Sequence, residues 1–145
     1  MLGFAIAALL AVCLVSTPTG AMAASAEIRA DSRGHFLTQV KIGYTNLDVL
    51  IDTGASFVAL SYEDAEHAGL KPRLLTFDVP IATANGLVEA ASVTLDRVEV
   101  GNVRVHDVAG VVLPRGSFEG TLLGMSFLAR LRSFAVEDGR LILTD

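Results

Sequence analysis

Seven residues constrain this chain more than any others: Ile51-Asp52-Thr53-Gly54-Ala55-Ser56-Phe57. The apolar run Val49-Leu50-Ile51 carries one carboxylate into a Thr-Gly turn, and apolar residues resume at Phe57-Val58-Ala59-Leu60. Burying an unpaired carboxylate is costly, so a buried strand that ends on one needs a reason for it. Gly54 allows a tight turn, and its missing side chain lets a second backbone come close. The Thr53 hydroxyl can lock such a loop from within. The pattern is that of a strand delivering Asp52 to a loop.

The rest of the chain reads as mostly β. Residues 35–42 are strand-like, with Phe36, Val40 and Ile42 apolar, and Gly43-Tyr44-Thr45-Asn46 is a hairpin turn that returns the chain as the strand 47–51. Ser61 is a good helix N-cap, Glu63 and Asp64 follow it in the first turn, and Gly69 and Pro72 stop the short helix. Residues 74–81 read as a strand and Ala84-Asn85-Gly86-Leu87 as its turn, Asn-Gly being a strong hairpin signal because both residues tolerate positive φ. Strands are also expected over 88–100 and 103–113, broken by Gly101-Asn102 and ended by Pro114-Arg115-Gly116. Leu122-Leu123-Gly124-Met125 leads into a short amphipathic segment, 126–131. Phe134-Ala135-Val136, Asp138-Gly139 and Leu141-Ile142-Leu143 make a closing hairpin. Many short strands, Gly-rich turns and one or two short helices predict an all-β barrel or sandwich.

Composition narrows the functional classes. A chain of 145 residues predicts one domain, and a net charge of −5 points away from nucleic acid and from a polybasic membrane surface. Cys13 is the only cysteine, so the remainder of the chain has neither a disulfide framework nor a cysteine zinc site. His35, His67 and His106 are scattered at spacings that suit no metal. No metal and no cofactor is expected.

The first 26 residues carry no charged side chain. The apolar stretch 2–15 has the length of a signal-peptide core, Ser16-Thr17-Pro18-Thr19-Gly20 breaks any helix, and Ala21-Met22-Ala23 has the small-x-small form of a cleavage site. No Lys or Arg precedes the apolar core, which departs from the usual signal pattern. We expect 1–23 to be a signal peptide, or a retained membrane anchor, and 24–145 to be the folded domain, held outside the cytoplasm.

Asp52-Thr53-Gly54-Ala55-Ser56 after an apolar strand resembles the active-site loop of the aspartic proteases. One such loop in so short a chain matches the single-lobe, retropepsin-like branch. Leu122-Leu123-Gly124 resembles the family's apolar-apolar-Gly segment, which packs under the catalytic loop. Gly34-His35-Phe36, Thr83-Ala84-Asn85-Gly86, Leu122-Leu123-Gly124-Met125-Ser126-Phe127-Leu128 and Asp138-Gly139-Arg140-Leu141 resemble signature blocks of the bacterial members. The resemblance covers nearly everything after the N-terminal segment and points to the bacterial periplasm, or an inner-membrane anchor facing it.

What the resemblance implies is an aspartic endopeptidase with a retropepsin-like closed barrel. Asp52 would be the catalytic carboxylate, supported by Thr53, Gly54, Ala55 and Ser56, with Thr53 reaching to the partner's loop. Thr83, Ala84, Asn85 and Gly86 would form a flap, and Leu122, Leu123 and Gly124 would pack beneath the loop. Because the chain carries one Asp-Thr-Gly, the family's chemistry requires a homodimer acting on an extended peptide or protein. Viral relatives interleave their termini, a role open here to residues 140–144 or 26–30. Asp48, Asp78 and Asp96 lack the Thr-Gly context and read as solvated charges. The alternative is a non-catalytic peptide-binding or assembly module on the same fold.

Overall fold

The computed structural model describes residues 21–145. The expected signal peptide or anchor, 1–23, therefore lies almost wholly outside the described residues. Among them, no helix is long and apolar enough to cross a membrane.

The described residues form ten strands: β1 (Ser25–Arg29), β2 (Leu37–Ile42), β3 (Thr45–Ile51), β4 (Val58–Leu60), β5 (Val79–Thr83), β6 (Gly86–Val100), β7 (Val103–Val112), β8 (Thr121–Leu123), β9 (Ser133–Glu137) and β10 (Arg140–Thr144). Two short helices, α1 (Tyr62–His67) and α2 (Met125–Leu128), and a 3-10 turn at Pro72–Leu74 complete the fold. Helix α1 starts where expected: the Ser61 hydroxyl accepts the Asp64 N–H at 3.1 Å.

Six strands close on themselves in the order β2-β3-β8-β4-β7-β6, and β6 returns to β2 through the pairs Lys41–Glu99 and Ile42–Val98. This is the all-β closed barrel the resemblance implied. Its interior is filled by Val40, Val49, Val58, Leu60, Leu95, Val98, Val108, Leu123 and Phe127, all essentially inaccessible to water. Each fully buried Val, Leu or Phe contributes roughly 1.5–3 kcal/mol, so apolar packing is what holds the barrel together. The 15-residue β6 serves two structures. Its second half pairs with β7 in the barrel wall, while its first half projects beyond the wall and pairs with β5 as a hairpin.

Outside the barrel a second sheet has the order β1-β10-β9. Asp138 and Gly139 make its hairpin turn with φ of 48° and 72°, the two-residue turn whose twist suits antiparallel strands. This arrangement corrects one expectation. The strand at 140–144 was a candidate for interleaving with a partner, but β10 is paired on both sides within its own chain and has no free edge.

Three local expectations also change. Lys71 takes a left-handed φ of 51° and Pro72 begins the 3-10 turn, so β5 starts at Val79 rather than at residue 74. Leu75 and Phe77 pack against the core from the irregular segment between them. Thr45 and Asn46 already belong to β3, leaving Gly43-Tyr44 as the turn.

Candidate active site

The loop bearing Asp52 is assembled from backbone hydrogen bonds between distant segments. Strands β3 and β8 run parallel with Ile51 opposite Leu123. The Asp52 N–H extends that ladder by one bond, donating to the Leu123 carbonyl at 3.1 Å. The Ala55 N–H closes the turn onto the Asp52 carbonyl at 3.2 Å. The Gly54 N–H donates to Asp52 Oδ1 at 2.8 Å and fixes the direction of the carboxylate.

The reason for glycine at position 54 is not its backbone angle, which lies outside the left-handed region; a Cβ there would stand 3.1 Å from Asp52 Oδ1. The close backbone approach expected of this loop occurs at Gly124 instead. A Cβ on Gly124 would fall 2.2 Å from the Phe57 carbonyl oxygen and 2.5 Å from that of Ala55. The segment that follows is stitched to the loop: Met125 N–H donates to the Ala55 carbonyl at 2.8 Å and Ser126 N–H to that of Ser56 at 3.0 Å. Leu122-Leu123-Gly124 thus lies under the Asp52 loop, with Leu123 and Gly124 buried and Leu122 facing the cleft.

Ser126, which the sequence marked only as one member of a matching block, has a structural role of its own. Its Oγ accepts the Val58 N–H at 3.0 Å and donates to the Ala109 carbonyl at 2.6 Å, tying α2 to β4 and β7. Beyond that block, its signal in the sequence is a hydroxyl in an otherwise apolar stretch. Ser126→Ala leaves both backbone groups without this partner, and is expected to cost about 1–3 kcal/mol in a urea unfolding titration.

Above the loop lies a cleft of about 560 Å³. Asp52, Gly54, Ala55 and Ser56 form its floor, and Thr83, Ala84 and Asn85 line its far side. The walls are mostly apolar: Phe57, Ile81, Val111, Leu113, Phe118 and Leu122. Asp52 is the only ionisable side chain among the described lining residues. The hairpin tip has a different geometry from the one expected of Asn-Gly. Gly86 alone has positive φ, at 110°. The Thr83 hydroxyl donates to the Gly86 carbonyl at 2.8 Å and accepts the Asn85 N–H at 3.3 Å, so a side chain rather than a left-handed Asn85 shapes the turn.

Thr53 is exposed, and among the described residues its hydroxyl has no hydrogen-bond partner, so it does not lock its own loop. Asp48, Asp78 and Asp96 are exposed. The loop carrying Phe118 is fastened to α1 by Arg115, whose guanidinium lies 4.1 Å from the Tyr62 ring centroid and 3.6 and 3.5 Å from Glu63 and Glu66. These groups are largely exposed, so Arg115→Ala is expected to lower stability by no more than about 1 kcal/mol in the same titration.

The family model described as "gag-polyprotein putative aspartyl protease" matches residues 38–130, which contain the Asp52 loop, the hairpin and Gly124. A retropepsin-like aspartic protease from Rickettsia conorii superposes with a TM-score of 0.75 at 32% identity, over 84% of this chain and 91% of that one. The chain belongs to the retropepsin-like aspartic protease family. The protease of EIAV, solved with the inhibitor HBY-793, is similar at 25% identity and a TM-score of 0.51, over 71% of this chain and 93% of that one. Two uncharacterised proteins are also similar. One, from the cobV 5' region of Sinorhizobium sp., is 40% identical over 77% of this chain, and RP867 of Rickettsia prowazekii is 33% identical over 76%. The chain spans about half the length of these curated relatives, 48% and 47% respectively.

Proposed function

We propose that the protein is an aspartic endopeptidase whose active site forms from two copies of the chain. The observation that carries this reading is the cleft. It is floored by one oriented carboxylate, walled by apolar side chains, overhung by a hairpin, and holds no other ionisable group among the described lining residues.

Peptide hydrolysis needs a base to activate water and an acid to protonate the leaving amine. One carboxylate cannot serve as both at once. Two carboxylates close together resist joint ionisation and therefore share a proton, the arrangement for which aspartic proteases are the standing example. A two-fold axis beside Asp52 supplies the second member from an identical chain. The ionised member takes a proton from water and the protonated one hydrogen-bonds the scissile carbonyl. The exposed Thr53 hydroxyl is then free to bond the partner's loop. The hairpin of β5 and β6 closes over the substrate, pairs with it as an added strand and excludes water. Phe57, Phe118, Ile81 and Leu122 give the bound peptide apolar walls, which favours apolar side chains flanking the scissile bond. The residues 1–23 support placing this activity outside the cytoplasm.

Dilution tests the two-copy reading. Cleavage of a peptide library per mole of chain is expected to fall steeply once the protein is diluted below its dimer dissociation constant. A specific activity that stays constant while sedimentation reports only monomer would overturn it.

A further inference from the structure

A row of apolar side chains runs out of the cleft and across the outside of the barrel. Leu37, Leu50, Leu122, Ala59 and Val111 stand opposite one another on β2, β3, β8, β4 and β7. Residues directly opposite on neighbouring strands share a face of the sheet. At one end of the row Ala59, Val111 and Leu122 line the catalytic cleft, with Ile81 and Val88 of the β5-β6 hairpin packed over them. The other end is open, and Leu37 is 56% exposed.

A second groove, of about 610 Å³, lies over that open end. Leu37, Leu50 and Leu122 give it an apolar base. Phe118 and Leu122 line both the groove and the cleft, so the two adjoin.

Two carboxylates edge the groove. Asp48 and Glu119 are the only ionisable side chains among its described lining residues. Both are exposed, and neither has a salt-bridge partner among the described residues. Gln39 Nε2 donates to Asp48 Oδ1 at 3.0 Å, which orients the carboxylate and leaves its second oxygen free to accept. Asp48, which the sequence marks only as a solvated charge, gains significance from its place on β3. Side chains alternate along a strand, so Asp48 and Leu50 share the outward face, and one more two-residue step leads to Asp52. Four residues of strand span about 13 Å.

These features select the occupant. A lysine or arginine joins an apolar stem to a cationic head. Its stem can lie on Leu37 and Leu50 while its head reaches Asp48 and Glu119. The first 26 residues of the chain carry no charged side chain, and an anionic lipid surface would be repelled, so neither suits this acidic edge. A peptide held over Asp52 does suit it, because an extended backbone covers the same distance in about four residues.

We infer that this groove is a second recognition site for the substrate, taking a basic side chain roughly three to five residues from the scissile bond. This rests on the reading that peptides are cut at Asp52, and it adds a charge preference to the apolar one of the cleft.

The test uses two peptides with the same cleavable apolar core. At that distance one carries lysine and the other norleucine, which keeps the stem and drops the charge. With the full chain, the lysine peptide is expected to be cut with about 5-fold higher kcat/KM, the gain lying in KM and shrinking with added salt. Asp48→Asn combined with Glu119→Gln is expected to erase that preference and to leave the norleucine peptide cut at the parental rate. Fluorescence anisotropy of the same peptides, labelled, on the Asp52→Asn chain gives a reading that needs no cleavage. There the lysine peptide is expected to bind about 5-fold more tightly, and to lose that advantage when Asp48 and Glu119 are neutralised. Equal kcat/KM or equal binding for the two peptides, or a preference that survives in the double variant, would overturn the inference. So would a double variant that sediments differently with its peptide preference unchanged, since the groove would then be a contact between copies. If no peptide is cut, yet the lysine peptide still binds more tightly through Asp48 and Glu119, the protease reading falls and this one stands.

Discussion

Asp52→Asn is expected to abolish peptide cleavage at every pH while leaving the fold and the dimer intact. The amide has nearly the shape of the carboxylate, and its oxygen can still accept the Gly54 N–H that orients the side chain. What it cannot do is take a proton from water or share one with a second carboxylate. General acid–base catalysis alone contributes about 10²–10⁴-fold, and groups acting as a unit lose most of their joint effect when one is removed. A fall of about 10³-fold or more is therefore expected, read as the initial rate on a peptide library. The thermal midpoint should stay close to the parent's. A variant that cleaves at the parental rate would remove Asp52 from the chemistry.

Gly124→Ala should be as damaging to stability as Asp52→Asn is to activity. A Cβ at 124 would meet two carbonyl oxygens at 2.2 and 2.5 Å, separations no real Cβ contact shows. Both oxygens are backbone atoms of the Asp52 loop, so no side chain can turn aside. The Ala55 oxygen also accepts the Met125 N–H, so moving the loop away breaks that bond as well. Steric overlap combined with lost buried hydrogen bonds belongs to the small set of changes that cost about 4 kcal/mol or more. The measurement is the urea unfolding midpoint, with Ser126→Ala as a milder change in the same network. A Gly124→Ala protein as stable as its parent would mean that the loop and the α2 segment are not packed this closely.

The sequence disclosed features whose signals are local. The strand entering Asp52, the Ser61 cap, the β5-β6 hairpin and the Asp138-Gly139 turn each depend on residues within a few positions of one another. Strands β4 and β8 were not legible, because three residues cannot display an alternation. They are strands only through partners far away: β4 beside β7, and β8 between β3 and β4. The same is true within the site. Asp52 and Gly124 were recognisable by family resemblance, whereas Ser126, Phe57 and Phe118 acquire their places from contacts across more than fifty residues of chain or from the shape of the closed barrel. The β5-β6 hairpin was located, but its turn falls on Ala84-Asn85, one residue before the expected Asn85-Gly86, with Gly86 already paired to Thr83 and the Thr83 hydroxyl bridging the tip.

In the proposed enzyme each chain holds one of two required acids. Mixing parent with Asp52→Asn, after subunits have exchanged, tests it most directly. If a working site needs a parental Asp52 from both chains, an equal mixture keeps about a quarter of the activity of the same total amount of parent, because only that fraction of dimers is fully parental. If activity falls only to about half, in proportion to the parental chains present, each chain works alone and the shared-acid claim is wrong.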